Sequence, residues 1–181
     1  MDPQHGQQPL SLPWQGHQVS IAYNGEVYNA PQLRGELEAL GFSFASRCDT
    51  EVVLASYLAW GPDCARRLQG IFAFAIYDPA APRLLLCRDP FGVKPLFLTR
   101  WQGRLAFASE IKALFQLPGV RPVVDKDGLR EVFALGPART PGCGVFQGVW
   151  ELKPGHLALL DPLGYRELAY FQLEARPHEE D

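Results

Sequence analysis

Tyr23-Asn24-Gly25-Glu26-Val27-Tyr28-Asn29 is the stretch on which the reading of this chain turns. Just upstream, Val19-Ser20-Ile21-Ala22-Tyr23 alternates in the two-residue period of a half-buried strand. Just downstream, Asn29 stands where a helix cap would, Pro31 follows, and Leu33, Leu37 and Leu40 recur at helical spacing before Gly41. The Asn24-Gly25 pair is therefore expected to form a turn at a strand end. Such a turn exposes the Asn24 side-chain amide and the Gly25 N–H together, and two donors so placed can hold a developing oxyanion. Glycine in the second position lets the backbone approach without a Cβ in the way. Asn-Gly is also the strongest short signal for a hairpin. A hairpin continues as a strand, however, and here a helical pattern follows.

Working outward, residues 1–17 are rich in Gln, Pro, Gly and His and read as a loop or frayed end. A second helix is expected from about Thr50 to Trp60, stopped by Gly61, and a short third helix from Pro62 to near Gly70. Ile71-Phe72-Ala73-Phe74-Ala75-Ile76-Tyr77 is almost wholly apolar, as in a strand buried on both faces. Arg83 to Cys87 is the next strand, and Pro95 to Thr99 pairs with Arg104 to Ala108 around Gln102-Gly103. Short helices are expected over Glu110 to Phe115 and Asp127 to Leu135. A loop over Gly136 to Gly148 and late strands over His156 to Asp161 and Tyr165 to Ala169 complete the pattern. Helices before and after a central block of strands joined by short turns suit an α+β domain with antiparallel sheets better than a βαβ repeat.

Composition narrows the function classes. The chain has 181 residues, 47% hydrophobic and 20% charged, enough for one domain with a sizeable core. A net charge of −3 argues against nucleic acid or an anionic membrane as partner. Cys48, Cys64, Cys87 and Cys143 follow no metal-ligand spacing, and the start of the chain has no signal-peptide pattern. The expectation is a cytoplasmic protein with reduced thiols and no metal.

Three further motifs carry polar chemistry. Cys48-Asp49-Thr50-Glu51 opens the second helix, and Asp49 reads first as its N-cap. A carboxylate there is also placed to accept hydrogen bonds from a substrate ammonium. Arg88-Asp89-Pro90-Phe91-Gly92-Val93-Lys94-Pro95-Leu96 lacks the glycine density and helix N-terminus of a phosphate loop. It reads as a structural loop in which Asp89 caps local N–H groups. Ser109 reads as the cap of the helix that follows it.

Taken together, these segments resemble the class II glutamine amidotransferase domain, most closely the asparagine synthetase branch. The resemblance is carried by Tyr23 to Asn29, Cys48 to Glu51, Leu68 to Asp78, Arg88 to Leu96, Phe107 to Leu114 and Phe146 to His156, in family order. It implies an N-terminal-nucleophile-type four-layer α-β-β-α sandwich with antiparallel sheets, here lacking its first strands. Val19–Tyr23 and Ile71–Tyr77 would lie in the middle of sheets to which the missing segment supplies neighbouring strands. It implies glutamine hydrolysis by an N-terminal cysteine whose own α-amine is the general base. The ammonia then serves ATP-dependent amidation of aspartate in a second domain. Asn24 and Gly25 would form the oxyanion hole, and Glu26 and Asp49 would hold the glutamine α-amino end.

The chain starts Met1-Asp2-Pro3, without the family's Met-Cys-Gly opening. The expectation is a truncated amidotransferase domain over residues 1–172 and a linker over 173–181 toward a synthetase domain. No cofactor is implied for the domain itself; ATP and Mg belong to the synthetase part. Glutamine and that synthetase domain are the implied partners, and a homodimer stays open. Two alternatives remain at this point. One is a non-catalytic amidotransferase-like scaffold. The other is the amidotransferase half of a different acceptor enzyme, against which the Phe146 to His156 ending argues.

Overall fold

The computed structural model describes residues 7–80, 83–136 and 138–175. Expectations placed on residues 1–6, 81–82, 137 and 176–181 lie outside them. The chain runs through β1 (Leu10–Trp14), β2 (His17–Val27), α1 (Ala30–Ala39), α2 (Asp49–Trp60), a 3₁₀ segment (Gly61–Arg67), β3 (Gly70–Asp78) and β4 (Arg83–Arg88). It continues with β5 (Phe97–Trp101), β6 (Arg104–Ala108), α3 (Ile111–Leu114), α4 (Lys126–Leu135), β7 (Val149–Glu151), β8 (His156–Asp161) and β9 (Gly164–Ala169). The strands form a six-stranded sheet, β1-β2-β3-β4-β8-β9, and a three-stranded sheet, β6-β5-β7. Every pairing is antiparallel.

The two-residue period of β3 divides two cores. Phe72, Phe74 and Ile76 point toward α1 and α2, where they meet Ile21, Leu33, Leu37, Val52 and Val53. Ala73 and Ala75 point the other way, onto Leu96, Leu98 and Leu152 of the smaller sheet side. A third cluster, around Phe97, Leu114 and Val149, packs the outer face of the small sheet against α3. The order is helices, sheet, sheet, helix, which is the expected four-layer sandwich. Each fully buried Leu, Ile or Phe contributes about 1.5–3 kcal/mol to it.

Several local expectations change. Leu10–Trp14 is a strand rather than a loop, because Leu10, Leu12 and Trp14 pack on the helix-side core and Trp14 stacks on Phe42 at 5.5 Å. β1 pairs with β2 from His17 to Ile21, and β3 lies between β2 and β4; beyond Ile21 the far edge of β2 pairs with no strand among the described residues. Val149–Glu151 is a short strand that no period could signal in three residues. Asn29 sits at the N-cap of α1 without a capping bond. Its Nδ2 instead donates to Arg67 O at 2.9 Å and its Oδ1 accepts from Gln69 N–H at 2.9 Å, which stitches the helix start to the entry of β3. Ser109 does not cap α3; Glu110 occupies that position and makes no side-chain cap bond.

The 88–94 loop is the structural loop expected. Asp89 is fully buried; its Oδ1 accepts from Phe91 N–H and Val93 N–H, both at 3.0 Å, and its Oδ2 from Lys94 N–H at 2.9 Å. Arg88 donates to Lys94 O, Leu152 O and Gly92 O and pairs with buried Glu151 at 2.8 Å. The loop is thereby fastened to β7 and to the residue that follows it.

Candidate active site

Asn24 and Gly25 do not form a turn. They continue β2 and pair with β3 in register, Asn24 opposite Ala73 and Gly25 opposite Phe72. The reason is close packing of backbone on backbone. A Cβ on Gly25 would lie 2.3 Å from Ile71 O, and one on Gly70 would lie 2.1 Å from Glu26 O. Two glycines, one on each strand, let β2 and β3 approach where any side chain would hold them apart.

The strand geometry still presents donors, now along an edge. In a strand, N–H groups two residues apart point to the same side. On β2 the side away from β3 is paired with β1 as far as Ile21 opposite Leu10. The next N–H on that side, Tyr23, is accepted by the side-chain Oε1 of Gln8. Two steps further, Val27 N–H is accepted by Asp49 Oδ2 at 3.0 Å. Gly25 N–H lies midway in this row, between an amide side chain and a carboxylate that each take its neighbours. Asn24 is exposed on the face of β2 that looks toward the small sheet.

Beside Asn24 is a cavity of about 180 Å³ whose lining includes Gln8, Ala22, Asn24, Ala73, Phe107 and Ser109. It is small, on the scale of an amino acid rather than the roughly 300 Å³ and upward of drug-sized sites. Its floor is low because Ala22, Ala73 and Ala75 present only methyl groups, and Phe107 and Ser109 close it from β6 and the residue after it.

Asp49 is the first residue of α2, with Cys48 at the N-cap, so it does not cap the helix. Its Oδ2 instead accepts from Tyr23 O–H at 2.6 Å and from Val27 N–H. Burial first, and the Asp49 carboxylate next, push the Tyr23 hydroxyl far above its ordinary pKa, so it stays a donor. One carboxylate oxygen is thus fixed by β2, which sets the direction of the other. The four residues named from sequence, Asn24, Gly25, Glu26 and Asp49, all gather at the C-terminal end of β2. Glu26 is exposed, on the same face of the strand as Asn24.

Sequence reading missed the residues that hold these four. Tyr23 orients Asp49. Glu51 is buried and accepts from Ala45 N–H and Ser46 N–H at 2.8 Å and Ser46 O–H at 2.7 Å. Ser46 Oγ in turn accepts from Cys48 N–H at 3.1 Å, so Glu51 braces the loop that delivers Asp49. The alternation of Phe72-Ala73-Phe74-Ala75 was the available signal for the cavity floor: one face large, the other small. Among the described residues no three His, Cys, Asp or Glu side chains converge on a metal-sized site.

A family model described as the glutamine amidotransferase domain matches residues 1–171. The chain belongs to the glutamine amidotransferase domain family. This amidotransferase domain is 43% identical over 178 residues to asparagine synthetase [glutamine-hydrolyzing] 3 of Bacillus subtilis, covering 98% of this chain and 29% of that protein. It is 35% identical over 178 residues to asparagine synthetase [glutamine-hydrolyzing] 1 of the same organism, covering 98% and 28%. The chain therefore spans less than a third of the length of these curated relatives. Among solved structures, the glutamine phosphoribosylpyrophosphate amidotransferase of B. subtilis superposes with a TM-score of 0.63. At 21% identity, covering 92% of this chain and 32% of that one, it establishes the shared fold of the amidotransferase domain.

Two of the domain's four cysteines are poor nucleophiles. Cys64 and Cys87 are buried, and burial pushes the Cys64 thiol up to about 12 and the Cys87 thiol well above its ordinary value. No helix among the described residues is long and apolar enough to cross a membrane.

Proposed function

We propose that these residues form the glutamine site and the oxyanion-stabilising wall of a glutaminase domain. That domain would supply ammonia for ATP-dependent amidation of aspartate in an asparagine synthetase-type protein. The observation that carries the proposal is the row of N–H groups on the edge of β2. Tyr23 and Val27 are taken by Gln8 and Asp49, and Gly25 stands between them beside the Asn24 cavity. In this reading Gly25 N–H and the Asn24 amide receive the negative oxygen that forms when a thiolate attacks the glutamine side-chain carbonyl. Asp49, through the oxygen not tied to β2, and Glu26 receive the α-ammonium group. No cofactor enters this half-reaction; ATP and Mg serve the acceptor half.

The thiol and its base come from an N-terminal cysteine, which the 181 residues do not themselves carry at their amino terminus. Cys48 lies inside the chain and has no free α-amine to act as base. The isolated chain is accordingly expected to release no glutamate from glutamine. The same residues, preceded by a segment that begins with cysteine, should turn glutamine over. In that form Asn24→Ala should lower kcat by roughly 10²–10³ with a smaller effect on KM, because the contact strengthens in the transition state. Turnover by the 181 residues alone, abolished by a single internal Cys→Ala change, would refute the assignment. A pure KM effect would move Asn24 from the oxyanion site to ground-state binding.

A further inference from the structure

A second, larger concavity, about 410 Å³, lies between β5, β7 and the loop that includes Gly119 to Val123. Its lining includes Arg100, Arg121, Gln147, Trp150, Val120 and Val123, with no carboxylate. Two cations and no anion face one cavity in a chain whose net charge is −3. Among the described residues neither the Arg100 nor the Arg121 side chain makes a hydrogen bond or an ion pair. Glu167, which accepts from Tyr165 O–H, does not line the cavity.

The walls are held in place without a ligand. Trp101 Nε1 donates to Pro118 O at 2.8 Å, and Gln147 N–H donates to Val123 O at 2.8 Å. Val124 bridges Phe146, and Thr99 Oγ1 donates to Gly148 O at 2.9 Å. The Trp150 indole is set against Tyr165, ring centroids 6.0 Å apart and close to perpendicular, with its N–H directed at the Tyr165 oxygen. The loop, β5 and β7 thus form a preorganised pocket with two unpaired guanidinium groups at its lining.

We propose that this pocket binds a phosphate monoester carrying a flat ring, such as a nucleoside monophosphate. Two guanidinium groups suit a phosphate dianion, whose oxygens accept their N–H groups in charge-assisted bonds. The volume is far larger than one phosphate group fills. Beside the arginines the lining offers an indole and two valines, which favour a planar remainder, and the Gln147 and Thr99 side chains for its polar edge. This site is separate from the Asn24 cavity and does not depend on the glutamine reading.

The test is titration calorimetry of the 181-residue chain with AMP, adenosine and inorganic phosphate as separate probes, backed by tryptophan fluorescence. AMP should bind at least tenfold more tightly than either fragment, and its affinity should fall with added salt. Arg100→Gln and Arg121→Gln should each weaken AMP roughly tenfold or more, the scale of one lost charge-assisted bond. Both side chains are exposed and unbonded, so the melting temperature of each variant should stay at the wild-type value. The fluorescence response to AMP should vanish in Trp150→Phe. Three results overturn the proposal: no AMP binding at millimolar concentration, AMP no tighter than inorganic phosphate, or AMP affinity unchanged in the double arginine variant.

Discussion

Asp49 and Asp89 look alike in the sequence and do opposite things in the structure. Each follows a polar or basic residue at the edge of an apolar element, and each reads at first as a local cap. Asp89 is fully buried, and all three of its side-chain bonds go to N–H groups within the next five residues. It folds its own loop and has nothing left to offer a ligand. Asp49 is only partly buried, and its bonds run to Tyr23 and Val27 on a different element. It joins α2 to β2 through one oxygen. An acid that satisfies its own loop is structural; an acid that one oxygen ties across elements is positioned for something else.

The comparison breaks first at Asp89. Asp89→Ala strips a charged acceptor from three part-buried N–H groups, at about 1–3 kcal/mol for each bond to the carboxylate that is lost. The sum is at least roughly 3 kcal/mol, or a fall of about 10 °C in melting temperature for a domain of this size. Circular dichroism melts check it, and a fall of only a degree or two would mean that the loop does not depend on Asp89.

A smaller loss is expected where the two strands of the site meet. Gly25→Ala drives a Cβ toward Ile71 O at 2.3 Å and Phe72 Cα at 2.6 Å, both backbone atoms that cannot swing away. Overpacking of this kind costs about 1–3 kcal/mol. Gly35→Ala in α1, where an added Cβ meets nothing within 4 Å, is the control. It should be neutral or stabilising by about 0.5–1 kcal/mol. Urea midpoints of the two variants should shift in opposite directions, and equal shifts would remove the close-approach argument for Gly25.

The smallest effect concerns alkali. Tyr57 is pushed up to about 12, chiefly by burial and next by Asp78, and burial takes the Cys64 thiol to about 12 as well. Both groups keep their protons in the folded state after the unfolded state has lost them. Their contribution is therefore complete below the ordinary values of 9.0 for Cys and 10.0 for Tyr and is lost as pH rises toward 12. Stability should decline from about pH 9 upward, and Cys64→Ala should make that decline shallower. Urea unfolding at a series of pH values measures it. An unchanged slope would show that Cys64 ionises equally in both states.

The layers were legible because their signals are periodic and long. The apolar run of β3, the leucine spacing of α1 and the Gln102-Gly103 hairpin each repeat one local rule over many residues. β1 was not legible, since Leu10, Leu12 and Trp14 alternate for only five residues inside a stretch rich in Gln and Pro. β7 is shorter still. At the candidate site, residues could be singled out from the sequence and their setting could not. Asn24-Gly25 carries every local mark of a turn. What keeps it extended is a second glycine, Gly70, 45 positions away across the ladder, which no local window contains. Tyr23 and Glu51 escaped notice for the same reason: their roles are defined by partners brought together by folding.

The central claim is that Asp49 is a binding carboxylate rather than a cap, and one substitution tests it most directly. Asn has nearly the shape of Asp and keeps an oxygen for the Tyr23 and Val27 bonds, so Asp49→Asn should leave the melting temperature within a degree or two of wild type. In the domain preceded by an N-terminal cysteine segment, the same change should raise KM for glutamine roughly 10–100-fold, the scale of one hydrogen bond to a charged group, with a smaller change in kcat. An unchanged KM would contradict the account and remove Asp49 from the glutamine site.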